Sequence, residues 1–382
     1  MKNIGILGGT FNPVHIEHVN LAREAKAELN LEKLYVVPTF CPPHKDTVPI
    51  DAKDRLNMLK IAFSGLDFVE VSDFEIAKGG VTYTYQTAEH FKNLHKNSKV
   101  YLFVGSDMLK DFKTWKNPKQ ILQNVTLCAF KREGHQGDFS VQHQYFKKEF
   151  GVDFKELNFV GRDISSSSIR VRLSLGLSAK DSLDKGVEEY ICQNNLYKED
   201  LFTSFLRKNL TEKRLIHTAN VVAVGVKKAK ELNLSEKKVY LSCLLHDCAK
   251  YLDPKSFKDF SIDESYPSPV VHAFLGEYVA RNVLGVEDED VLSAIKYHTT
   301  GRANMTTLEK LVFVADMIEK GRNYEGVERL RELYLGDFEN CFRKCLEEEL
   351  IHLQNKKGDI CPLTIEAYNY YIQNNYKQKK EG

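Results

Sequence analysis

Short apolar runs punctuate the first part of the chain. Ile4-Gly5-Ile6-Leu7, Leu34-Tyr35-Val36-Val37, Phe68-Val69-Glu70-Val71, Val100-Tyr101-Leu102-Phe103-Val104, Val125-Thr126-Leu127-Cys128-Ala129 and Leu157-Asn158-Phe159-Val160 alternate with stretches of helical spacing. Alternation of this kind predicts an α/β domain built on a doubly wound parallel sheet. Such sheets bind ligands beyond the carboxyl ends of their strands, so chemistry is expected in the loops after Leu7, Val37, Val71, Val104 and Val160. After Ile164 the pattern turns helical and stays so; Leu308, Leu311, Val312, Ala315 and Ile318 typify it. The change of class, with polar Gln193-Asn194-Asn195 and Lys198-Glu199-Asp200 around Leu196-Tyr197, predicts one domain over residues 1–199 and an all-α domain over 200–382. No Pro/Gly/Ser-rich linker separates them.

The length of 382 residues suits two cores of ordinary size. Lys and Arg number 54 against 53 Asp and Glu, a net charge of +1 that gives no basic excess for a nucleic-acid or membrane partner. No apolar run approaches the roughly 20 residues of a membrane span. The start, Met1-Lys2-Asn3 leading straight into a strand, lacks the features of a secretion signal, so a cytoplasmic location is expected. Eight cysteines without a CxxC pair read as reduced, with Cys341 and Cys345 as small buried residues. The tail Lys377-Gln378-Lys379-Lys380-Glu381 reads as frayed. Self-association stays open.

The loop after the first strand carries the first candidate chemistry. Gly8-Gly9-Thr10-Phe11-Asn12-Pro13-Val14-His15-Ile16-Glu17-His18 leads into a helix. The glycines let backbone approach a ligand, and the helix start offers free N–H groups to phosphate oxygens. His15 and His18 share one face and are suited to donate hydrogen bonds to charge building on an α-phosphorus. Elsewhere, Lys45 lies in the loop after the second strand. Ser166, Ser167 and Arg170 combine hydroxyls, a helix start and a guanidinium fork. Gly105 and Asp107 follow the fourth strand, and Trp115 is the only tryptophan; an exposed indole beside a sheet edge can stack on a pyridine ring.

This loop resembles the (H/T)xGH signature of the nucleotidyltransferase superfamily, and within it the bacterial nicotinate mononucleotide adenylyltransferases. Further segments match in order: Pro42-Pro43-His44-Lys45, Arg55-Leu56-Asn57-Met58-Leu59, Val81-Thr82-Tyr83-Thr84, Val104-Gly105-Ser106-Asp107, Trp115 and Ile164-Ser165-Ser166-Ser167-Ser168-Ile169-Arg170. The resemblance covers residues 1 to about 197 and implies a Rossmann-like fold. It also implies attack of the mononucleotide phosphate on the α-phosphorus of ATP, accompanied by Mg2+. Gly8, Gly9, Thr10 and Phe11 would line the phosphate loop, Gly105 and Asp107 would meet the adenylate, and Thr82, Tyr83, Thr84 and Trp115 would hold the nicotinate. Another acceptor, a pantetheine or cytidylyl substrate, is the rival. Glu17 replaces the usual Gly and Asn12 a usual Asp; Glu17 is expected to point outward from the helix start.

In the helical half, His217, His246-Asp247, His272, His298 and Asp316 recur at intervals that place ligands on successive helices. Asp247 and Asp316 stand in apolar surroundings, where an unpartnered carboxylate costs several kcal/mol, and a metal ion is the most economical partner. Histidine and carboxylate without cysteine suit Fe, Mn or Zn in a hydrolytic site. These residues resemble the HD superfamily, named for the adjacent pair, and the small bacterial HD hydrolases that split diadenosine tetraphosphate into two ADP. The resemblance implies that His217, His246, Asp247 and Asp316 hold one ion, iron being the family's usual metal. His272 and His298 would hold a second with Asp247 bridging. Lys250, Arg214 and Arg322 are candidates for phosphate contacts. Action on another phosphorylated nucleotide, and a noncatalytic nucleotide sensor, are the alternatives.

Overall fold

The structure, a computed structural model, describes residues 1–41, 50–133 and 139–373, apart from the side chains of Asp107 and Arg132. The expectation of a frayed tail from Lys377 onward lies outside these residues. The chain forms two compact units, Met1–Arg170 with Ala179–Lys198, and Val171–Ser178 with Glu199–Gly382. Residues 171–178 thus group with the second unit, earlier in the chain than the change of sequence pattern near residue 200.

The six apolar runs are the six strands of the first unit: β1 (Asn3–Gly9), β2 (Lys33–Pro38), β3 (Val69–Val71), β4 (Lys99–Gly105), β5 (Thr126–Arg132) and β6 (Lys155–Gly161). They pair in the order β3-β2-β1-β4-β5-β6, every pair parallel. β1 and β4, buried on both faces, are continuous apolar runs, whereas β6 at the edge alternates, with Leu157, Phe159 and Gly161 buried and Val160 exposed. Ile4, Ile6, Val37, Leu102, Val104 and Leu127 form the core beneath one face, joined by Phe91, Phe112 and Phe146 from flanking helices. The strand order reverses between β1 and β4. The loops after these two strands therefore diverge and leave a crevice at their carboxyl ends.

One side chain in this unit is buried as an acid. Glu75, on the Phe74–Lys78 helix after β3, is 5% exposed and accepts a hydrogen bond from the Thr87 hydroxyl at 2.6 Å. Burial pushes its carboxyl up to about 7, against the smaller opposing effects of Thr87 and Lys78.

The second unit is helical throughout its described residues. The helices that matter most for the site are Glu212–Ala229, Glu236–Leu245, Val271–Asn282, Glu289–Tyr297 and Thr307–Ile318. Four of these five starts are set by side-chain caps: Thr211, Ser235, Asp288 and Thr306 each accept from a backbone N–H of the first turn. Their apolar faces share one core, including Val221, Val222, Leu244, Leu245, Leu275, Ile295, Leu311 and Val312. Gly225 lets two of the helices touch, since a Cβ there would lie 2.6 Å from Cys243 Sγ and 3.2 Å from Val239 Cγ1. All eight cysteines are free, and Cys341 and Cys345 are buried. Among the described residues no helix is long and apolar enough to cross a membrane.

Two outcomes follow for stability. In the folded chain Glu75 keeps its proton up to about 7, while in the unfolded chain it loses it near 4.5, so stability falls as pH rises between these values and then levels off. Glu75→Gln should flatten that dependence in urea unfolding and stabilise the first unit at pH 8 by up to about 3 kcal/mol. Gly225→Ala should destabilise the second unit by about 1–2 kcal/mol, overpacking outweighing the gain in helix propensity, as read from its urea midpoint.

Candidate functional site

The crevice beyond β1 and β4 is where the first group of expected residues gathers. β1 ends at Gly9, and the Ile16–Leu29 helix begins with His15 as its N-cap. Gly8 is exposed, and a Cβ there would meet nothing within 4 Å. At Gly9 a Cβ would press on the Phe11 ring at 3.1 Å, because Phe11 adopts a positive φ of 48° and turns its side chain back into the core. The His15 and His18 rings lie 3.7 Å apart, and the His15 N–H donates to His18 Nδ1 at 3.1 Å. That bond fixes His18 Nδ1 as an acceptor, leaving Nε2 as its N–H. Phe11 packs edge-on against His18 at 4.9 Å.

The loop is tied from outside by side chains distant in sequence. Ser166 Oγ donates to the Pro13 carbonyl at 2.8 Å, and Arg170 Nη1 to the Asn12 carbonyl at 2.7 Å. Arg170 Nη2 also donates to Ser167 Oγ at 3.0 Å. Arg55, 1% exposed, reaches the Thr10 carbonyl at 2.8 Å and the Phe40 carbonyl at 3.1 Å. Tyr197 donates its hydroxyl to Asn12 Oδ1 at 2.6 Å, which gives the amide that stands for the usual Asp a neutral partner.

Glu17 does not point outward. It is 8% exposed and accepts from the Arg162 backbone N–H and from Arg162 Nε, both at 2.9 Å, and from Asn20 Nδ2 at 3.0 Å. Its charge is thus matched by a residue 145 positions away, at the end of β6, which no local pattern reveals. Trp115 is likewise not exposed: it is half-buried and packs on Phe112 with ring centroids 5.2 Å apart. Its neighbour Lys116 lies over the Tyr83 ring at 4.2 Å, which brings the Tyr83 and Trp115 segments together. Thr82 is buried with its hydroxyl unpartnered among the described residues. Thr84 opens the Thr84–Leu94 helix, so its free N–H groups border the same segment. Gly105 caps the short Ser106–Lys110 helix at the end of β4. Lys45 and the side chain of Asp107 lie outside the described residues.

The second group converges inside the helical unit. His217 stands on the Glu212–Ala229 helix, His272 on Val271–Asn282 and Asp316 on Thr307–Ile318. His246 and His298 sit immediately past the ends of their helices, with Asp247 next in the turn. Asp247, 2% exposed, is the centre. Its Oδ2 lies 3.4 Å from His246 Nε2 and 3.7 Å from His217 Nε2, and its Oδ1 lies 3.1 Å from His272 Nε2 and 3.7 Å from His298 Nε2. Asp316 Oδ1 is 3.0 Å from His217 Nε2.

The tautomers follow from what each Nδ1 faces. His246 Nδ1 meets the Cys243 carbonyl at 2.7 Å, His272 Nδ1 the Pro269 carbonyl at 2.8 Å and His298 Nδ1 the Ile295 carbonyl at 2.7 Å. A carbonyl only accepts, so each Nδ1 carries the hydrogen and each neutral ring turns its Nε2 lone pair inward. His217 does the same through Glu319 Oε1 at 3.1 Å, and Glu319 is held by Asn220 at 2.8 Å and by the Gly321 N–H at 2.5 Å. The Nε2 atoms of His217 and His246 are 3.2 Å apart. Lone pairs and carboxylate oxygens thus face one another across short distances, and Asp247 Oδ1 is buried without a well-formed hydrogen bond. That arrangement is repulsive until a cation enters it, so the donor set fits a divalent ion. Among the described residues two triads bring their ligand atoms within 4.8 Å of one another, His217-His246-Asp247 and Asp247-His272-His298.

Protonation suits the same task. Burial pushes the Asp247 carboxyl up, but the surrounding imidazoles, whenever one carries an inward proton, more than reverse this, and the carboxyl lies well below the usual carboxylate range. Asp316 behaves likewise through His217 and Arg322. Burial lowers His246 and takes His272 down to about 4, so both are neutral ligands near pH 7. Burial would lower His217 too, but Asp316 and Glu319 raise it, so there a proton competes with the ion. Around the cluster stand three cations. Arg214 Nη1 contacts Asp247 Oδ2 at 2.6 Å, Arg322 Nη2 contacts Asp316 Oδ1 at 2.5 Å, and Lys250 Nζ lies 3.0 Å from His272 Nε2. Burial lowers the Lys250 ammonium, the two arginines adding to the effect and the carboxylates opposing it.

Sequence reasoning gave no role to Glu319, Asn220 or Thr299, whose hydroxyl lies 3.0 Å from His298 Nε2. The available signals were Glu319 one helical turn after Asp316 and Thr299 beside His298. In the first unit it missed the roles of Arg55 and Tyr197.

Comparison with known proteins gives two family matches. Cytidylyltransferase-like covers residues 6–172 and the HD domain covers residues 214–321. The "Probable nicotinate-nucleotide adenylyltransferase" of Borreliella burgdorferi is 37% identical over 197 residues, 51% of this chain and 96% of that protein. The "Probable nicotinate-nucleotide adenylyltransferase/Ap4A hydrolase" of Mycoplasma genitalium is 28% identical over 329 residues, 85% of this chain and 89% of that protein. A solved structure of a "predicted HD superfamily hydrolase involved in NAD metabolism" from Clostridium acetobutylicum is 35% identical, covering 45% of this chain and 96% of that one, with a TM-score of 0.43.

Glu319 orients His217 without being in the ligand triads, so its loss should loosen the ion and spare the fold. Glu319→Gln should weaken Mn2+ binding by about 10–100-fold in calorimetric titration of the full chain.

Proposed function

Because the chain belongs to the nicotinate-nucleotide adenylyltransferase family and carries an HD domain in its second half, we propose that it is a cytoplasmic enzyme with two activities. Residues 1–199 would transfer the adenylyl group of ATP to nicotinate mononucleotide, giving deamido-NAD and pyrophosphate. Residues 200–382 would hydrolyse a nucleotide polyphosphate, diadenosine tetraphosphate to two ADP.

For the transferase, the observation that carries the reading is the His15–His18 pair, ring centroids 3.7 Å apart, at a helix start in the crevice between β1 and β4. Both rings can donate to the α-phosphoryl oxygens as charge builds there, while the mononucleotide phosphate attacks in line and pyrophosphate leaves. Lys45, Ser166, Ser167 and Arg170 serve the triphosphate, which arrives with Mg2+. Gly8, Gly9, Thr10 and Phe11 give the backbone approach, and Gly105 and Asp107 meet the adenylate. Thr82, Tyr83, Thr84 and Trp115 hold the nicotinate. Its carboxylate is suited to the unpartnered Thr82 hydroxyl and the free N–H groups at the start of the Thr84–Leu94 helix.

For the hydrolase, the carrying observation is the convergence of four inward Nε2 atoms on Asp247. His217, His246, Asp247 and Asp316 would hold one ion, iron in our reading, and His272 and His298 with Asp247 a second. A divalent ion supplies Lewis acidity toward a phosphoryl oxygen and lowers the pKa of a water. Arg214 and Arg322 are then free to turn from the carboxylates to phosphate oxygens, and Lys250 stands beside them as a further donor.

Assays of the full chain test both halves together. His18→Ala should lower adenylyl transfer from ATP to nicotinate mononucleotide by about 100-fold or more. Asp247→Ala should abolish cleavage of diadenosine tetraphosphate by the Fe- or Mn-loaded protein. Each should leave the other activity within about twofold. Wild-type rates in His18→Ala would remove the first assignment, and an unchanged substrate in the wild-type digest would remove the second.

A further inference from the structure

Arg55 is a buried cation. It lies on the Ala52–Ala62 helix after β2, is 1% exposed, and among the described residues forms no ion pair. Its Nη1 and Nη2 donate to two carbonyls, Thr10 in the loop after β1 and Phe40 just past β2, and its Nε has no hydrogen-bond partner among the described residues. Burying a guanidinium against neutral acceptors costs several kcal/mol, which packing alone does not require at this position. Methionine or leucine would fill the space without that cost.

The two carbonyls belong to the loops that face the nucleotide crevice. Along the first of them, three carbonyls are taken up from outside the loop, Thr10 by Arg55, Asn12 by Arg170 and Pro13 by Ser166. A planar trans peptide holds its C=O and the following N–H on opposite sides. Drawing the Thr10 carbonyl toward Arg55 therefore turns the Phe11 N–H the other way. At Thr10 the loop presents an amide hydrogen and withdraws an oxygen that would repel an anion, whereas at Asn12, followed by Pro13, only the oxygen is withdrawn. Of the side chains doing this, Arg55 alone spans both loops and brings a full charge to their inner side.

We propose that Arg55 is a positioning residue for the polyphosphate of the nucleotide. It ties Thr10, in the loop after β1, to Phe40, just past β2, with the Phe11 amide turned toward the phosphates, and sets a fixed positive charge behind them, without touching substrate. The proposal rests on the adenylyltransferase reading above. It predicts that the ATP side of the reaction depends on Arg55 and the mononucleotide side does not.

The test uses the full chain with Arg55→Met, which keeps volume and removes donors and charge, and Arg55→Lys, which keeps charge and can reach one carbonyl. Arg55→Met should raise the KM for ATP by about tenfold or more, as expected for loss of a charge-assisted bond pair, and leave the KM for nicotinate mononucleotide within twofold. Arg55→Lys should recover a substantial part of the ATP affinity. Calorimetry with α,β-methylene-ATP should show the same order of binding. A purely structural Arg55 would lower the urea midpoint while the folded enzyme kept its wild-type KM for ATP, and that result overturns the proposal. If Arg55→Met does not fold, Arg55→Gln, which keeps a donor and removes the charge, takes its place, and a wild-type KM for ATP in that folded variant overturns it equally. Wild-type protein that binds the ATP analogue but makes no deamido-NAD contradicts the transferase reading instead, and the analogue affinities of the variants still decide the role of Arg55.

Discussion

A charge removed from water must find a partner, and in this chain two of the most deeply buried charges find theirs only in part. Asp247 is enclosed by four imidazoles whose lone pairs face it, and Arg55 is enclosed by carbonyls. In the helical unit Arg214 meets Asp247 on one oxygen only, and the inward lone pairs with the other oxygen call for a metal cation. In the sheet unit the charge lies behind a loop that offers an amide to an anion. Much of the surrounding structure reads as support for these two environments: caps that start the ligand helices, carbonyls that orient the rings, and side chains that draw the loop's oxygens away from the crevice.

The supports are ordered by distance from the chemistry. Glu319 lies behind His217, Asn220 and the Gly321 N–H lie behind Glu319, and Arg322 joins the same corner through Asp316. Each layer fixes the rotamer of the one before it, which keeps a metal ligand at a usable angle. In the first unit, Tyr197, Arg170, Ser166 and Arg55 do the equivalent for a loop that has little regular hydrogen bonding of its own. Glu17 and Arg162 add a tie between the start of the first helix and the end of β6. The carboxylate that stands where the signature has Gly is thus neutralised within the fold.

The fold was largely legible from sequence because its signals are local. Six apolar runs at strand length became six strands, and a helical period beyond Ile164 became helices. The histidines and aspartates of the second site were legible for a related reason: polar residues in apolar stretches such as Leu244-Leu245-His246-Asp247 need an explanation wherever they fold. Features that depend on long-range pairing were not legible. Glu17 reads as a solvent-facing residue until Arg162 is beside it, and Trp115 as an exposed ring until Phe112 packs on it. Glu319 has the composition of any helix-end acid, and Arg55 that of an ordinary surface cation. Only their burial and their partners distinguish them.

The central claim is that the donor set around Asp247 is built for a cation held by inward Nε2 atoms. Anomalous scattering from crystals of the full chain grown with Mn2+ tests it most directly. The account predicts a peak bounded by His217, His246, Asp247 and Asp316, absent in Asp247→Ala crystals of unchanged fold. Well-ordered wild-type crystals with no anomalous peak among these residues would contradict it.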